Sequence, residues 1–405
     1  MTEPLRMAWL GHQSRRSGDG LLTYSREMVA GLRARGVKVF FVHHGETPAA
    51  TDDGMALKSL TGSHRYIISS PRTKRAITDL LQRERVELVH VSLSFSTSVD
   101  FGLPDLCHEL GLPVTATFHV PYDSRFSLWQ GISSALYRVY SQSLAAYDRV
   151  IIFSSQQREL LVQYGVPEGS IAVVPNGVDV EKYAPGQSDY KAALGAETLV
   201  GYLGRVDPEK NVLALIRAFL DVDVHDQDML VVVGGGGDRR RLQRRFGGPR
   251  VLFTGPVMDE AERIRILQAM DVFVLPSAVE GLSLSLLEAM ACETACIATD
   301  VGGDGEALRG AGIVLDPREL DGQLRLGLQT LLEYPDFRRD LARRARARAV
   351  DRYSLRQNLD HLLAIYESLR APTITLPIAE RGQSLSTPGG RRVDETGGKG
   401  ATRSG

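Results

Sequence analysis

The feature that most constrains this chain is a rhythm. A short apolar run, a turn and an amphipathic stretch follow one another again and again. In the first half the runs fall at Met7–Leu10, Val39–Val42, Tyr66–Ile68, Leu88–Leu93, Val114–Phe118, Val150–Phe153 and Ile171–Val174. They are rich in Val, Ile and Phe, residues that suit a pleated, buried surface. Helical patterns lie between most of them, as at Leu21–Arg35, Thr73–Arg83 and Ser155–Tyr164. Strands that alternate with helices pair in parallel and carry helices on both faces. Their near-continuous apolar character fits a sheet covered on both sides.

Over Asn176–Ala196 the rhythm stops, in a stretch of turn residues with little apolar content. It restarts with runs at Leu199–Leu203, Met229–Val233, Val251–Phe253, Val272–Leu275 and Ala295–Ala298, and helical patterns at Asn211–Leu220, Asp259–Met270 and Leu284–Ala291. The chain therefore reads as α/β, two doubly wound Rossmann-like domains facing each other across a cleft. The expected boundaries are 1–185 for the first Rossmann-like domain, 195–352 for the second and 353–370 for a C-terminal helix crossing back to the first domain. Residues 371–405 are Gly-rich and polar without periodicity, and are expected to be a disordered tail. Helical patterns at Asp336–Val350 and Phe126–Tyr147 both read as packed amphipathic helices, the former with Phe337, Leu341 and Ala345 inward.

Charge and cysteine content exclude several classes. Lys plus Arg number 48 and Asp plus Glu 49, so the basic excess of a general nucleic-acid binder is missing. Three cysteines, Cys107, Cys292 and Cys296, make no disulfide framework and have no zinc-ligand spacing. No leader pattern opens the chain and no run of 18 apolar residues occurs, so the expected location is the cytoplasm. A peripheral contact with the inner face of the membrane stays compatible with the aromatic stretch at Phe126–Tyr147.

Ligands of open α/β sheets bind beyond the carboxyl ends of the strands, so residues just after strands carry the chemistry. The segment 276–300 follows an apolar run, with Glu280 in a loop and Glu288 on the next helix. Eight residues separate them, about 10–13 Å, which is too far for a two-carboxylate pair acting on one glycosidic bond. The span suits a nucleotide sugar: one carboxylate for hexose hydroxyls, the other for ribose hydroxyls. The N–H groups of Ser283 and Leu284 at the helix start would face the diphosphate. The plain alternative is a helix-surface charge at Glu288 and a dipole partner at Glu280. In "GYLGRVDPEKN" Arg205 and Lys210 follow a strand and suit a diphosphate, unless the segment is merely a solvated turn capping a helix. Gly11, Gly18 and Gly20 punctuate the first strand-to-helix connection, beside Arg15 and Arg16, and let a phosphate approach backbone. His119 ends the run Val114–Phe118, followed by Pro121 and Asp123. Substrate contact and a structural histidine are equally open there. The D-x-D at Asp221–Asp223 reads as a turn, so no metal site is expected. "VVVGGGGDRR" reads as a turn lining the donor cleft rather than a dinucleotide fingerprint.

These segments together carry a resemblance. "VEGLSLSLLEAMAC" resembles the E-x7-E segment of glycosyltransferase family 4, the retaining, GT-B, group 1 glycosyl transferases. "GRVDPEKN" is similar to that family's G-R-x-x-x-x-K stretch and "VVPNGVD" to its interdomain P-N-G-V-D. "SGDGLLTYSREM" and "TFH" stand where the family has its glycine loop and cleft histidine. The resemblance spans about Met7 to Tyr366. It implies that Arg205 and Lys210 bind the diphosphate, that Glu288 holds the ribose and Glu280 the sugar hydroxyls. It further implies that Gly20 approaches the phosphate and His119 lies beside the transferred sugar. Asp19, Ser283 and Glu293 depart from frequent glycines, with Glu293 expected just past the helix.

The function these readings imply is retaining transfer of a hexose, from UDP-glucose or a related nucleotide sugar, to an acceptor hydroxyl. No cofactor beyond that co-substrate is expected. The acceptor class, lipid, saccharide or small metabolite, stays open. A nucleotide-sugar epimerase of the same architecture and a non-catalytic nucleotide-sugar-binding subunit are the alternatives.

Overall fold

The computed structural model describes residues 3–11, 20–44, 54–57, 59–62, 67–69, 73–93, 102–120, 137–222 and 225–370. Gly18, Asp19, Arg15, Arg16, Pro121, Asp123, Asp223, the first part of the aromatic stretch and the tail 371–405 lie outside the described residues.

The first lobe runs β1 (Arg6–Gly11), α1 (Gly20–Ala34), β2 (Lys38–His44), β3 (Gly54–Leu57), β4 (Ser59–Gly62), β5 (Ile67–Ser69), α2 (Thr73–Arg83), β6 (Leu88–Leu93), α3 (Leu103–Glu109), β7 (Val114–Phe118), α4 (137–144), β8 (Arg149–Ile152), α5 (Ser155–Gln163) and β9 (Ile171–Val173). Seven strands form one parallel sheet in the order β3-β2-β1-β6-β7-β8-β9. The run near residues 66–68 departs from the expected parallel pattern. Its strand β5 pairs antiparallel with β4 in a separate two-stranded sheet. A short loop between neighbours permits an antiparallel pair, whereas parallel pairing needs a long crossover.

After the short helix α6 (Tyr190–Leu194), the second lobe runs β10 (Leu199–Leu203), α7 (Val212–Asp221), β11 (Met229–Val233), α8 (Arg239–Phe246), β12 (Val251–Gly255), α9 (Glu260–Ala269), β13 (Val272–Leu275), α10 (Leu284–Ala291), β14 (Ala295–Thr299), α11 (Asp304–Leu308) and β15 (Ile313–Leu315). Its six strands are parallel, in the order β12-β11-β10-β13-β14-β15. Central strands are buried end to end, as at Val272–Leu275 and Ala295–Thr299, which is why they read as uninterrupted apolar runs. In each sheet the winding direction reverses beside a central strand, at β1/β6 and at β10/β13. Such a reversal opens a crevice at the carboxyl ends of the two strands.

Three helices close the described chain: α12 (Leu320–Glu333), α13 (Pro335–Arg352) and α14 (Leu355–Leu369). On α13, Leu341 and Ala345 turn inward as expected, but Phe337 in its first turn is 45% exposed. The last helix, α14, lies against the first lobe. Asp360 pairs with Arg35 at 2.6 Å, Tyr366 Oη meets Nδ1 of the buried His90 at 2.9 Å, and Arg370 just beyond it bonds Glu87 at 2.9 Å. The linker after β9 is clamped where α14 begins. Val178 donates to the Tyr353 carbonyl and accepts from Leu355 N–H, while Asn358 Nδ2 donates to the Pro175 carbonyl at 3.0 Å. Gly177 permits this approach: a side chain there would begin 2.5 Å from the Leu355 Cα. Arg346 of α13 anchors the same linker by donating to the carbonyls of Val180, Tyr183 and Ala291.

The three cysteines are buried free thiols. No helix among the described residues is long and apolar enough to cross a membrane. Tyr137 and Tyr140 of α4 are buried, Tyr137 donating to the Val120 carbonyl at 2.7 Å.

Candidate functional site

The β10/β13 reversal gathers the second lobe's candidates. Beyond β10, Gly204 turns the chain, Arg205 follows, and a 3-10 turn at Pro208–Lys210 leads into α7. Beyond β13, residues 276–283 form the loop that carries Glu280. The two loops meet in one ion pair, Lys210 Nζ to Glu280 Oε1 at 2.6 Å, with the side chains only 13% and 14% exposed. Asn211, held at φ 50° before α7, fixes the approach by donating from Nδ2 to the Pro276 carbonyl at 3.0 Å. The Ala278 N–H adds a bond to the Glu209 carbonyl at 2.7 Å.

Arg205 is half-exposed and already neutralised by two carboxylates, Asp207 and, at 2.9 Å, Glu209. Asp207 also accepts from the Gly237 N–H at 2.7 Å, and the Val206 N–H donates to the Gly235 carbonyl. The glycine run after β11 is therefore a turn packed against the Arg205 loop. Backbone from three strand ends converges here before any ligand arrives.

Ser283 requires a correction. Its N–H was expected to be free for a diphosphate. It donates instead to Asp304 Oδ1 at 2.8 Å, and its hydroxyl bonds Asp304 Oδ2 at 2.7 Å, both buried. A carboxyl group on α11 supplies the acceptor for that amide, as a capping side chain does, so its N–H is already partnered. Leu284 opens the first turn of α10, where no carbonyl lies behind its N–H within the helix. Glu293 stands exposed past α10 in the left-handed region, φ 62°.

Glu288 lies in the second turn of α10, in a separate charged group. Burial lifts its pKa to about 7. Arg263 and a hydrogen bond from Tyr183 pull it back, and Glu260 adds to the rise. Tyr183 Oη itself accepts from Arg263 at 3.1 Å and bonds Glu260 at 3.2 Å, and Lys182 pairs with Glu260. Glu27 of α1 brings a carboxylate from the first lobe toward this group. Burial, then the Glu288 charge, raise it to about 7 as well.

The first lobe contributes His119 at the end of β7. Its N–H bonds the Leu93 carbonyl at 3.1 Å, which fixes the backbone. Its ring sits edge-to-face on Tyr24, centroids 4.7 Å apart at 75°, and against Phe153 at 5.1 Å. Burial drops its pKa to about 3, so the imidazole is neutral at physiological pH. Its Nε2 is buried without a hydrogen-bond partner among the described residues. Behind it, Tyr24 Oη meets Thr117 Oγ1 at 3.1 Å, which meets His90 Nε2 at 3.1 Å. The Phe153 ring reaches across to the second lobe, 4.0 Å from the point where a side chain would begin at Gly281. His119 and the Glu280 loop are thus linked through one aromatic ring. A second bridge joins the lobes where Glu306 of α11 accepts from the Ser155 N–H at 2.9 Å and hydroxyl at 3.2 Å. Gly20 opens α1 exposed, with no atom of the described residues within 4 Å of where a side chain would start.

The structure therefore brings Lys210 and Glu280 into contact and stitches Arg205 beside them. It connects His119 to them through Phe153 and gives Glu288 its own surroundings. Asp304, Glu306, Arg263 and Tyr183 are participants the sequence reading missed. Among the described residues no three His, Cys, Asp or Glu side chains are placed to hold a metal ion.

Comparison with known proteins finds matches to both lobes. A model described as "Glycosyltransferase Family 4" matches residues 18–182, and one described as "Glycosyl transferases group 1" matches 197–333. The D-inositol 3-phosphate glycosyltransferase of Rhodococcus jostii is 31% identical over 252 residues, 58% of this chain and 54% of that protein. The corresponding protein of Rhodococcus opacus is 30% identical over 62% of this chain and 59% of its own length. The chain thus spans somewhat over half the length of these curated relatives. The glycogen synthase of Mycobacterium tuberculosis is 26% identical over 85% of this chain and 84% of its own. Among solved structures, sucrose-phosphate synthase from Thermosynechococcus elongatus superposes with a TM-score of 0.73 at 22% identity, covering 90% of this chain and 99% of that one. HepE of Anabaena, solved with UDP, gives 0.73 at 17% identity, covering 90% and 100%. Both show the GT-B fold.

Proposed function

This chain belongs to the group 1 glycosyltransferases of family 4, and from that premise we propose that it transfers a hexosyl group from a nucleoside diphosphate sugar to an acceptor hydroxyl with retention. UDP-glucose or a close relative is the donor. The observation that carries the reading is the Lys210–Glu280 pair. A cation suited to phosphate and a carboxylate suited to sugar hydroxyls sit side by side, largely buried, at the reversal point of the second sheet. HepE solved with UDP and with UDP-glucose supports the donor class by likeness of fold.

In this reading Arg205 and Lys210 hold the diphosphate. Glu280 accepts from the sugar hydroxyls, and Glu288 accepts from the ribose once ionised. Gly20 and the Leu284 N–H face the phosphates. The acceptor oxygen approaches the anomeric carbon on the face the diphosphate leaves. The carbon–oxygen bond to the β-phosphate breaks, the bond to the acceptor forms, and the acceptor proton passes to the departing phosphate oxygen. Catalysis is then mainly stabilisation of charge growing on that leaving group. His119, neutral and with an Nε2 that has no partner among the described residues, serves as a hydrogen-bonding neighbour of the sugar and not as an acid. No divalent metal is needed in this scheme, because the two cations take its part.

The names of the relatives range from an inositol 3-phosphate glycosyltransferase to a glycogen synthase, so the acceptor class is left as a hydroxyl compound. The test is mass spectrometry of products from a panel of UDP, GDP and ADP sugars mixed with cell extract. The wild type is compared with Lys210→Ala and Glu280→Ala. Removing one stabilising cation should cost about a hundredfold in kcat. A sugar-containing product made equally well by Lys210→Ala would defeat the assignment. An epimer formed from the donor alone would point to the isomerase instead.

A further inference from the structure

Ser283 caps α10, yet its own side chain makes no capping bond within that helix. The cap comes from outside. Asp304, 1% exposed, receives the Ser283 N–H on one carboxyl oxygen and the Ser283 hydroxyl on the other. The residues just before Asp304 hold the other end of the same turn. The Gly303 N–H donates to the Gly281 carbonyl at 2.5 Å. Gly302, at φ 56°, lies so close that a side chain would begin 2.2 Å from the Glu280 carbonyl oxygen. The four residues Glu280 to Ser283 are thus moulded on the segment 302–304, gripped at Gly281 by backbone and at Ser283 by Asp304. Asn176 adds a third hold from the linker, Nδ2 to the Leu282 carbonyl at 2.6 Å. Glu280 leaves from the start of this turn to reach Lys210.

We propose that Asp304 is a positioning residue for recognition of the donor sugar: by holding Ser283 it sets the turn from which Glu280 presents its carboxylate. The inference rests on the glycosyltransferase reading above. Asp304 is 1% exposed, so it acts on a ligand through Ser283 and not by contact. Its loss therefore disturbs binding of the sugar half of the donor more than the nucleoside diphosphate half, which Arg205 and Lys210 hold from another loop and only the Leu284 N–H meets from this turn. Burial, and after it the Glu280 charge, push the Asp304 pKa up. A neutral isostere that still accepts from the Ser283 N–H is therefore a fair replacement.

The experiment is calorimetric binding of UDP, GDP and ADP and of their glucose conjugates to wild type, Asp304→Asn, Asp304→Leu and Ser283→Ala. The quantity read is the ratio of Kd for the diphosphate to Kd for its glucose conjugate, for the base the wild type prefers. We expect the ratio to fall about tenfold or more in Asp304→Leu, because two buried hydrogen bonds that fix the turn are gone. The diphosphate itself should bind within about threefold of wild type, the loss of at most part of the one Leu284 contact. Asp304→Asn should restore the ratio to within about threefold, and Ser283→Ala, which deletes one bond and strands no charge, should fall between. An unchanged ratio in Asp304→Leu, or a loss in Asp304→Asn as large as in Asp304→Leu, overturns the proposal. Parallel weakening of diphosphate and conjugate also overturns it, since that marks general disruption. If Asp304→Leu does not fold, an unchanged ratio in Ser283→Ala overturns it alone. A wild type that binds none of the six compounds removes the glycosyltransferase reading itself, and this inference with it.

Discussion

The Lys210–Glu280 pair gives the sharpest test of how the site is built. At 2.6 Å, and with an effective dielectric of about 20, the gross attraction is about 6 kcal/mol. Both side chains are nearly out of water, and desolvating each ion costs several kcal/mol, so most of that attraction is offset. The net value of the pair is small, but the cost of breaking it is not. Glu280→Gln leaves a buried ammonium without its counter-ion, and Lys210→Met leaves a buried carboxylate. Each should cost about 3 kcal/mol. The double variant removes both charges and should cost little more than either single one, so the coupling energy should be about 2–3 kcal/mol. Urea unfolding of the four proteins, followed by a probe in the second lobe, measures the cycle. At the scale of one lobe, 3 kcal/mol corresponds to a Tm drop of about 6–12 °C. Two single variants whose losses simply add would show that the charges do not feel each other. The closed, donor-free geometry would then be wrong.

Four further outcomes follow from the same geometry. His119 has a folded pKa of about 3 against 6.5 when unfolded, so its stabilising contribution is present above pH 6.5 and drains away as pH falls toward 3; His119→Gln should flatten the acid limb of the unfolding curve, and a pH–rate profile over pH 5–8 should show no His119 titration. Glu288 has the opposite sign: its folded pKa of about 7 exceeds the usual 4.5, so stability present below pH 4.5 is lost as pH rises through 7. Glu288→Gln should therefore gain on the wild type by up to about 3 kcal/mol between pH 5 and pH 8 while binding nucleoside diphosphates more weakly, and a Tm gap that ignores pH contradicts this. Tyr24→Phe, which keeps the ring edge against His119, should retain most activity, whereas Tyr24→Leu should lower kcat about tenfold with little change in donor KM; equal losses would remove the aromatic contact from the account. Glu306→Gln, which weakens the bridge to Ser155, should increase protease nicking of the linker near Pro185, read on gels with and without UDP.

Much of this was legible in the sequence for a physical reason. A strand buried on both faces has no choice of periodicity, so β6, β7, β10, β11 and β13 begin and end where their apolar runs do. The loops after β10 and β13 declared themselves because Arg205, Lys210 and Glu280 are charged residues placed just past such strands. What escaped was short or dispersed. The helix α11 has five residues inside "VGGDGEALRG", where glycines announce a turn more loudly than five residues announce a helix. Asp304 and Glu306 ride on it, and their partners Ser283 and Ser155 are 21 and 151 residues away. No periodicity records such a separation. The expectation of a free Ser283 amide failed for the same reason: a helix N-terminus can be read locally, but the side chain that caps it from another element cannot. Glu27 was hidden by its own helix, because the amphipathic face of α1 says which side is buried and not which lobe it meets.

The pairing of charges changes what binding a donor means. Arg205 is met by Asp207 and Glu209, and Lys210 by Glu280. Two cations and three carboxylates leave this corner slightly negative, so it exerts no bulk attraction on a doubly charged diphosphate. On the proposed assignment, binding would instead be an exchange of partners: phosphate oxygens would replace carboxylate oxygens on the cations, and the released carboxylates would need new donors. Sugar hydroxyls are such donors. For Glu280 the two halves of the exchange are coupled, because the group that gives up Lys210 to the phosphate is the one that then receives the hexose. A bare diphosphate completes only the first half and strands a buried carboxylate, whereas a sugar nucleotide completes both. If Lys210 and Glu280 take the roles proposed for them, the ion pair itself would make the intact donor bind more tightly than its leaving group, and the return of Glu280 to Lys210 would favour release of the diphosphate after transfer.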